Sequence, residues 1–354
     1  MDRVWKRLSG PLSRRAGSLF RHHRFGLYIL AVLVGLASGL GAVLFRLGID
    51  AWSQLLSGAD DYTVSMGPSV GLLAPLGAWF VLIAPVLSGL LTGPLMSRLG
   101  RTPTGHGVAG VIWSTRHGDG TMAPLPALAA TTSAALTIGG GGSVGPEGPI
   151  AELGASTASI IGRGLRLRRS SIRHLAAAGT AAGIASAFNA PLAGIIFAIE
   201  ELGRGLHLRW ERRLLLGVLA SGFILVAIKG NNPYFPQYVG ATTLPHMILW
   251  VALCGVVCGI AGGIFARLLA KGALGYAPAF LRGWLVRHPL IFAALLGVIL
   301  AAIGQHTHGQ TYGTGYQAVA QALDGEVLQP HHFGIAKLLA TVATYWSGIA
   351  GGIF

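Results

Sequence analysis

The sequence predicts an all-α polytopic membrane protein, built as two halves of inverted topology with broken, re-entrant helices. Three observations carry this expectation. Of 354 residues, 52% are hydrophobic and only 11% charged, with a mean hydropathy of +0.61, whereas soluble domains carry about a quarter charged residues. Apolar runs repeatedly exceed the ~18–20 residues that span a bilayer. Finally, the second half of the chain repeats features of the first in order.

The net charge of +14 does not indicate nucleic acid. Basic residues sit in short clusters between apolar segments, as the positive-inside rule expects of cytoplasmic loops, and no aromatic-interleaved basic groove is visible. Residues 1–24, with Lys6, Arg7, Arg14, Arg15, Arg21 and Arg24, resemble the n-region of a signal peptide. The apolar run that follows is too long for an h-region and lacks a small-residue cleavage site. A basic, cytoplasmic surface helix kept in the mature protein is expected instead. Cys254 and Cys258, one turn apart in an apolar segment, are expected to pack rather than to bind metal or pair as a disulfide framework.

Each element follows from this patterning. Residues 25–57 form a long apolar helix, and the loop 58–67 holds Asp60 and Asp61 without Lys or Arg. A second crossing covers 70–97, and Arg98, Arg101 and Arg116 bracket the next loop. The stretch 124–162 is apolar but broken by Gly and Pro near its middle, and Arg163, Arg166, Arg168, Arg169 and Arg173 follow it. Residues 174–200 are interrupted at Asn189-Ala190-Pro191 and lead to Arg204, Arg209, Arg212 and Arg213. Crossings over 214–229, 247–271 and 289–304 follow, with an uncharged loop at 231–245 and Arg282 and Arg287 in a basic one. Placing basic loops in the cytoplasm puts the N-terminus inside. It also requires 124–162 and 174–203 each to enter and return as pairs of short helices, with Gly and Pro supplying the breaks.

Self-comparison divides the chain at about residue 240. An offset of 220 superposes Gly35 on Gly255, Gly39 on Gly259 and Phe45 on Phe265. Further on, "GHGVAGV" at 105–111 matches "GTGYQAV" at 313–319, and Gly145 matches Gly352. The opening helices of the two copies start on opposite sides of the membrane. We therefore expect a first inverted repeat over 25–230 and a second over 247–354, the architecture of transporters whose site lies near mid-membrane. The second copy lacks counterparts for roughly 80 residues of the first, so a C-terminally truncated chain is expected.

Broken helices expose backbone N–H groups at their N-termini, which with the helix dipole attract anions without a full positive charge. A buried Lys or Arg would bind a permeating anion too tightly to release it. The glycine turns at 105–107, 139–145 and 351–352 are candidates for such a site; close helix packing is the other reading of these glycines. Just after the second turn stands Glu147, flanked by Pro146 and, after Gly148, by Pro149. An intramembrane carboxylate is costly, and burial favours its protonated form, so it can trade a proton against an anion.

"GSVGPEGP" (142–149), "SAFNAPLAGIIFAIEE" (186–201) and "SGIAGGIF" (347–354) resemble the CLC family of chloride channels and chloride/proton antiporters. The family's G-x-E-G-P motif stands here as Gly145-Pro146-Glu147-Gly148-Pro149, and its G-x-F-x-P motif begins at Gly352-Ile353-Phe354. The resemblance implies that Glu147 is the gating glutamate and Glu201 the internal proton-transfer glutamate. The alternatives are a Glu147 that caps its own helix and a Glu201 that pairs with Arg204 at the surface. Backbone N–H groups of Ile353 and Phe354 match anion ligands, and the family's pore tyrosine would lie beyond Phe354. The resemblance further implies a homodimer in a bacterial inner membrane, carrying chloride or a similar monovalent anion against protons, with no cofactor.

One motif departs. Chloride-selective members carry G-S-G-I-P where this chain has Gly105-His106-Gly107-Val108-Ala109. Either His106 donates to an anion through a ring N–H, or it faces the cytoplasmic vestibule. The departure leaves chloride, fluoride and other anions open, and passive conduction remains an alternative to exchange. An enzyme is not expected: Gly140-x-Gly142-x-x-Gly145 fits a dinucleotide fingerprint formally but lies in a membrane segment without a βαβ context. His306, His308, His331 and His332 lack Cys or acidic partners at metal-ligand spacing.

Overall fold

A computed structural model describes residues 24–60, 70–102, 105–203, 212–230, 235, 244–325, 332–349 and 351–353. The basic segment at 1–23, Arg204 and Phe354 lie outside the described residues. The described chain is helical, and two residues, Gly145 and Gly352, form an isolated antiparallel bridge.

Helix α1 (Arg24–Ser57) carries the first apolar run. A 3₁₀ turn at Ala74–Trp79 leads into α2 (Phe80–Leu99). Short α3 (Gly107–His117) follows, then α4 (Pro124–Gly139) and α5 (Glu147–Gly164). The stretch 124–162, expected to enter and return, is thus two helices separated at 140–146. The same holds further on, where α6 (Arg169–Phe188) ends at Asn189 in the left-handed region and α7 (Pro191–Phe197) runs into a π turn at Ala198–Leu202. Then come α8 (Arg212–Lys229), α9 (Leu244–Tyr276), α10 (Ala279–Arg287) and α11 (Pro289–His306). Helices α12 (Tyr316–Leu323) and α13 (Phe333–Trp346) close the described chain. Among the described residues, four helices, α1, α2, α9 and α11, are long and apolar enough to cross a membrane.

Small residues set how closely these helices approach. Helix α6 is buried from Leu175 to Ala187, almost entirely as Ala, Gly, Ser and Thr. It crosses α5 where Gly154 and Gly179 meet; a Cβ on either would overlap the other's carbonyl oxygen. Gly35 of α1 meets the Gly217 carbonyl of α8 in the same way. Between membrane helices no hydrophobic force drives association, so backbone approach and van der Waals contact supply it. The largest core cluster, with Leu30, Val34, Leu175, Leu202, Leu214 and Val218, fills the space around these crossings. A second, around Phe80, Leu300 and Tyr312, joins α2 to α11, and a third, with Phe45, Ile138 and Ile150, lies beneath the 140–146 turn.

Helix α1 also carries a charge across this interior. Arg46 donates through Nη2 to the Ala187 carbonyl at 2.8 Å. The last carbonyls of α6 lack intrahelical partners and sit at the negative end of its dipole, which suits a cation.

The expectation that Cys254 and Cys258 pack inside is corrected. Both are exposed on α9, with Sγ atoms 3.7 Å apart, and the apolar window of α9 is unburied throughout. An apolar membrane helix is as well satisfied by lipid tails as by neighbouring helices, so its composition does not reveal which it faces.

Replacing Gly179 by Val should destabilise the protein by at least about 1–3 kcal/mol through overpacking. The same change at Gly255, where a Cβ would meet nothing within 4 Å, should stay within about 0.5 kcal/mol. Thermal unfolding of the two variants in detergent checks the contrast.

Candidate anion site

The three glycine turns singled out in the sequence meet. Gly145 N–H donates to the Gly352 carbonyl at 2.9 Å, and Gly352 N–H donates back to Gly145 at 2.8 Å. Gly148, the second residue of α5, packs against Gly352, and Gly107, the first residue of α3, packs against Gly148. The positions that the self-comparison superposes, Gly145 and Gly352, are the two that exchange hydrogen bonds. Glycine is needed at Gly107 for its backbone, with φ +66°, a region that L side chains rarely adopt. At Gly145 and Gly352 it is needed for space.

That space holds Glu147. It is the first residue of α5, after Pro146 at the N-cap, and is 2% exposed. Its carboxylate lies on the Gly145–Gly352 bridge, so that a Cβ on either glycine would overlap it. The turn beneath is anchored to α13, where Ser143 N–H donates to Thr344 Oγ1 at 3.1 Å and the Ser143 and Thr341 hydroxyls are 3.0 Å apart. A carboxylate is thereby held at a helix N-terminus beside a second segment whose backbone is not helical.

The third turn holds a residue that the motif reading missed. Glu152, also on α5 and 1% exposed, accepts the Gly107 N–H on Oε2 at 2.7 Å. His106, the N-cap of α3, brings Nδ1 to 3.2 Å from Oε1, while its Nε2 meets the Gly100 carbonyl. The His106 ring is turned onto Glu152, a partner that neither of the two sequence readings named. A signal was present in the sequence: Glu152 stands five residues after Glu147 in the same apolar stretch, but it belongs to none of the motifs quoted.

The remaining candidates are dispersed. Ile353 is 44% exposed at the end of the bridge segment. Glu201 is exposed in the π turn after α7, and its backbone carbonyl accepts from Arg116 Nη2; the structure does not bring it to Glu147. Lys337 of α13 is a further residue outside the quoted motifs. It donates to the carbonyls of Thr311 (3.0 Å) and Gly313 (2.8 Å) and lines a cavity of about 250 Å³ with Gly145, Gly352 and Ile353. A second cavity, about 280 Å³, lies on the His106–Glu152 side and is lined by Met96, Tyr345 and Gly351 as well. Among the described residues no group of three or more His, Cys, Asp or Glu could hold a metal.

Membrane-crossing helices combined with broken helices whose N-termini meet around buried carboxylates define a multi-pass integral membrane protein of the ion-transporting kind. The chain belongs to the voltage gated chloride channel family, whose model matches residues 88–354. It is 29% identical over 343 residues to a ClcB-like chloride channel protein of Ralstonia nicotianae, covering 92% of this chain and 74% of that protein. It is 28% identical over 343 residues to the H(+)/Cl(-) exchange transporter ClcA of Yersinia pestis bv. Antiqua (strain Angola), covering 92% and 67%. A solved slow cyanobacterial Cl-/H+ antiporter superposes with TM-score 0.71 at 25% identity, over 93% of this chain and 75% of the other. A CLC-type fluoride/proton antiporter shares the fold, with TM-score 0.69 at 22% identity over 94% and 78%.

If Glu147 fills the space over the bridge, Gly352→Ala should cost about 1–3 kcal/mol by overpacking. Most of that cost should vanish when Glu147 is also truncated to Ala, because contacting residues are non-additive. A double-mutant cycle on thermal stability measures this coupling.

Proposed function

We propose that this protein exchanges chloride, or a similar monovalent anion, for protons across a bilayer, with Glu147 as the exchangeable gate. The observation that carries this reading is the meeting of three glycine turns around a buried carboxylate. Ionised, Glu147 occupies the position that a permeating anion would take beside the α5 N-terminus and the Gly352 segment. Protonated, it loses the charge that favours that position, and an anion can replace it. One carboxylate thus binds either a proton or, by moving aside, makes room for an anion, which is the minimum needed to couple the two fluxes. The names of the ClcA relatives and of the cyanobacterial antiporter support exchange.

Glu201 belongs to the reading as the inner proton donor, supported by its exposure in the π turn after α7, where Arg116 donates to its backbone carbonyl, and by its match to the family motif. Backbone groups of Gly107, Gly145, Gly148, Gly352 and Ile353 are assigned to the anion path, and those of Phe354 are added from the motif alone. The reading takes the protein as a transporter and not an enzyme, as a homodimer in a bacterial inner membrane, with the N-terminus and basic loops cytoplasmic, as their Arg content supports. The two halves are read as inverted repeats, supported by the reciprocal pairing of Gly145 and Gly352. A fluoride exchanger is the second reading, favoured by His106 in the place of the motif serine.

In liposomes, an imposed chloride gradient should drive proton movement by the wild-type protein. Glu147→Gln, which mimics the protonated gate, should retain anion flux and lose proton coupling. Anion flux without proton movement in the wild type would overturn exchange. Running fluoride, chloride and nitrate in parallel identifies the anion.

A further inference from the structure

The His106–Glu152 pair is not used by the mechanism above. Its hydrogen bonding fixes where its protons are. The Gly100 carbonyl can only accept, so His106 Nε2, which meets it, carries hydrogen. Nδ1 then faces Glu152 Oε1 at 3.2 Å and Oε2 at 3.4 Å. A bare Nδ1 against an ionised carboxylate would set lone pair against lone pair. One proton must therefore lie between them, and the amide N–H that Gly107 donates to Oε2 at 2.7 Å favours the ionised carboxylate, so the resting pair is imidazolium and carboxylate. The pair is neutral overall, the state that a residue 1% exposed tolerates in a low dielectric.

The same carboxylate accepts the first N–H of α3, through Gly107 at 2.7 Å. This is the helix terminus at which the sequence motif places an anion. The carboxylate is also in the wall of the cavity of about 280 Å³ that Met96, Tyr345 and Gly351 help to line, so a free anion has room to approach. His106 is hydrogen-bonded to Glu152, and Tyr345 lines the same cavity. Helix α1 presents Gly41 to Leu153 and Ser38 to Gly154; α6 presents Gly179 and Gly183 to this part of α5; and α4 presents Thr131.

We propose that Glu152 is a second exchangeable carboxylate, which a permeating anion replaces on the Gly107 N–H only as Glu152 becomes a carboxylic acid. The proposal rests on the anion-exchange reading. Written as a balance, one anion and one proton join the imidazolium–carboxylate pair. The products are an imidazolium–anion pair and neutral Glu152: net charge is zero before and after, the proton ends on the Glu152 carboxyl, and the anion takes over the Gly107 N–H. Anion and proton therefore bind together at this place, and His106 is the positioning residue that keeps the proton within reach.

The test uses the full chain with Glu147→Gln, which removes the other carboxylate gate, and chloride as the probe. Calorimetry in buffers of different ionisation enthalpy should show about one proton taken up per chloride, with affinity falling about tenfold per pH unit while the free pair is neutral. Adding Glu152→Gln should abolish both the uptake and the pH dependence. Chloride binding by the Glu147→Gln protein without proton uptake would overturn the proposal and leave anion transport intact, as would uptake that survives Glu152→Gln. Infrared difference spectra of the Glu147→Gln protein need no second substitution: chloride should raise a carboxylic acid carbonyl band, and its absence would also overturn the proposal. Failure to bind or move any of chloride, fluoride and nitrate would instead remove the transport reading, and this inference with it.

Discussion

Backbone N–H and C=O groups inside a bilayer have no water to bond to, and every feature of this site follows from how the chain meets that constraint. Regular helices satisfy themselves. The turns between α4 and α5 and after α13 cannot, and they satisfy each other instead, through the two reciprocal bonds between Gly145 and Gly352. Irregular backbone at membrane depth is tolerated only where protein covers it or it lines a cavity. Both conditions hold here. Ser143 and the α13 threonines cover the turn from one side, and cavities open on either side of the bridge.

The small-residue scaffold serves that end. Close approach of α5 and α6 at Gly154 and Gly179 fixes the direction of α5, and with it the place where its N-terminus points. Larger residues would separate the helices and leave the turns facing lipid. The interior is accordingly rich in Ala, Gly, Ser and Thr. The few charges that enter it are each held by a specific partner: Arg46 by the end of α6, Lys337 by two carbonyls, and Glu152 by an amide and an imidazole. In such a medium a charge without a partner costs more than any single packing contact returns.

Much of the fold was legible before any coordinates. The breaks at 140–146 and 189–191 were marked by Gly and Pro, and the pairing of α4 with α5 and of α6 with α7 followed from charge placement alone. Glu147 announced itself because a carboxylate between two prolines in an apolar run is costly to bury. Glu152 stands in the same apolar stretch but belongs to none of the quoted motifs. What singles it out is contact with α3, forty-five positions earlier. His106 could not be placed for the same reason. The cysteines were misplaced because lipid and protein interior select the same apolar residues.

By itself, then, the sequence determined the class of protein, four of its five expected spans, the breaks and one buried carboxylate, since these depend on hydropathy, charge and local backbone freedom. Only the tertiary structure decided which breaks face one another, that Gly145 bonds Gly352, and that Glu152 accepts the first N–H of α3. Those are matters of helix approach across a membrane interior, where small residues of many kinds pack almost equally well and local pattern carries no address for the partner.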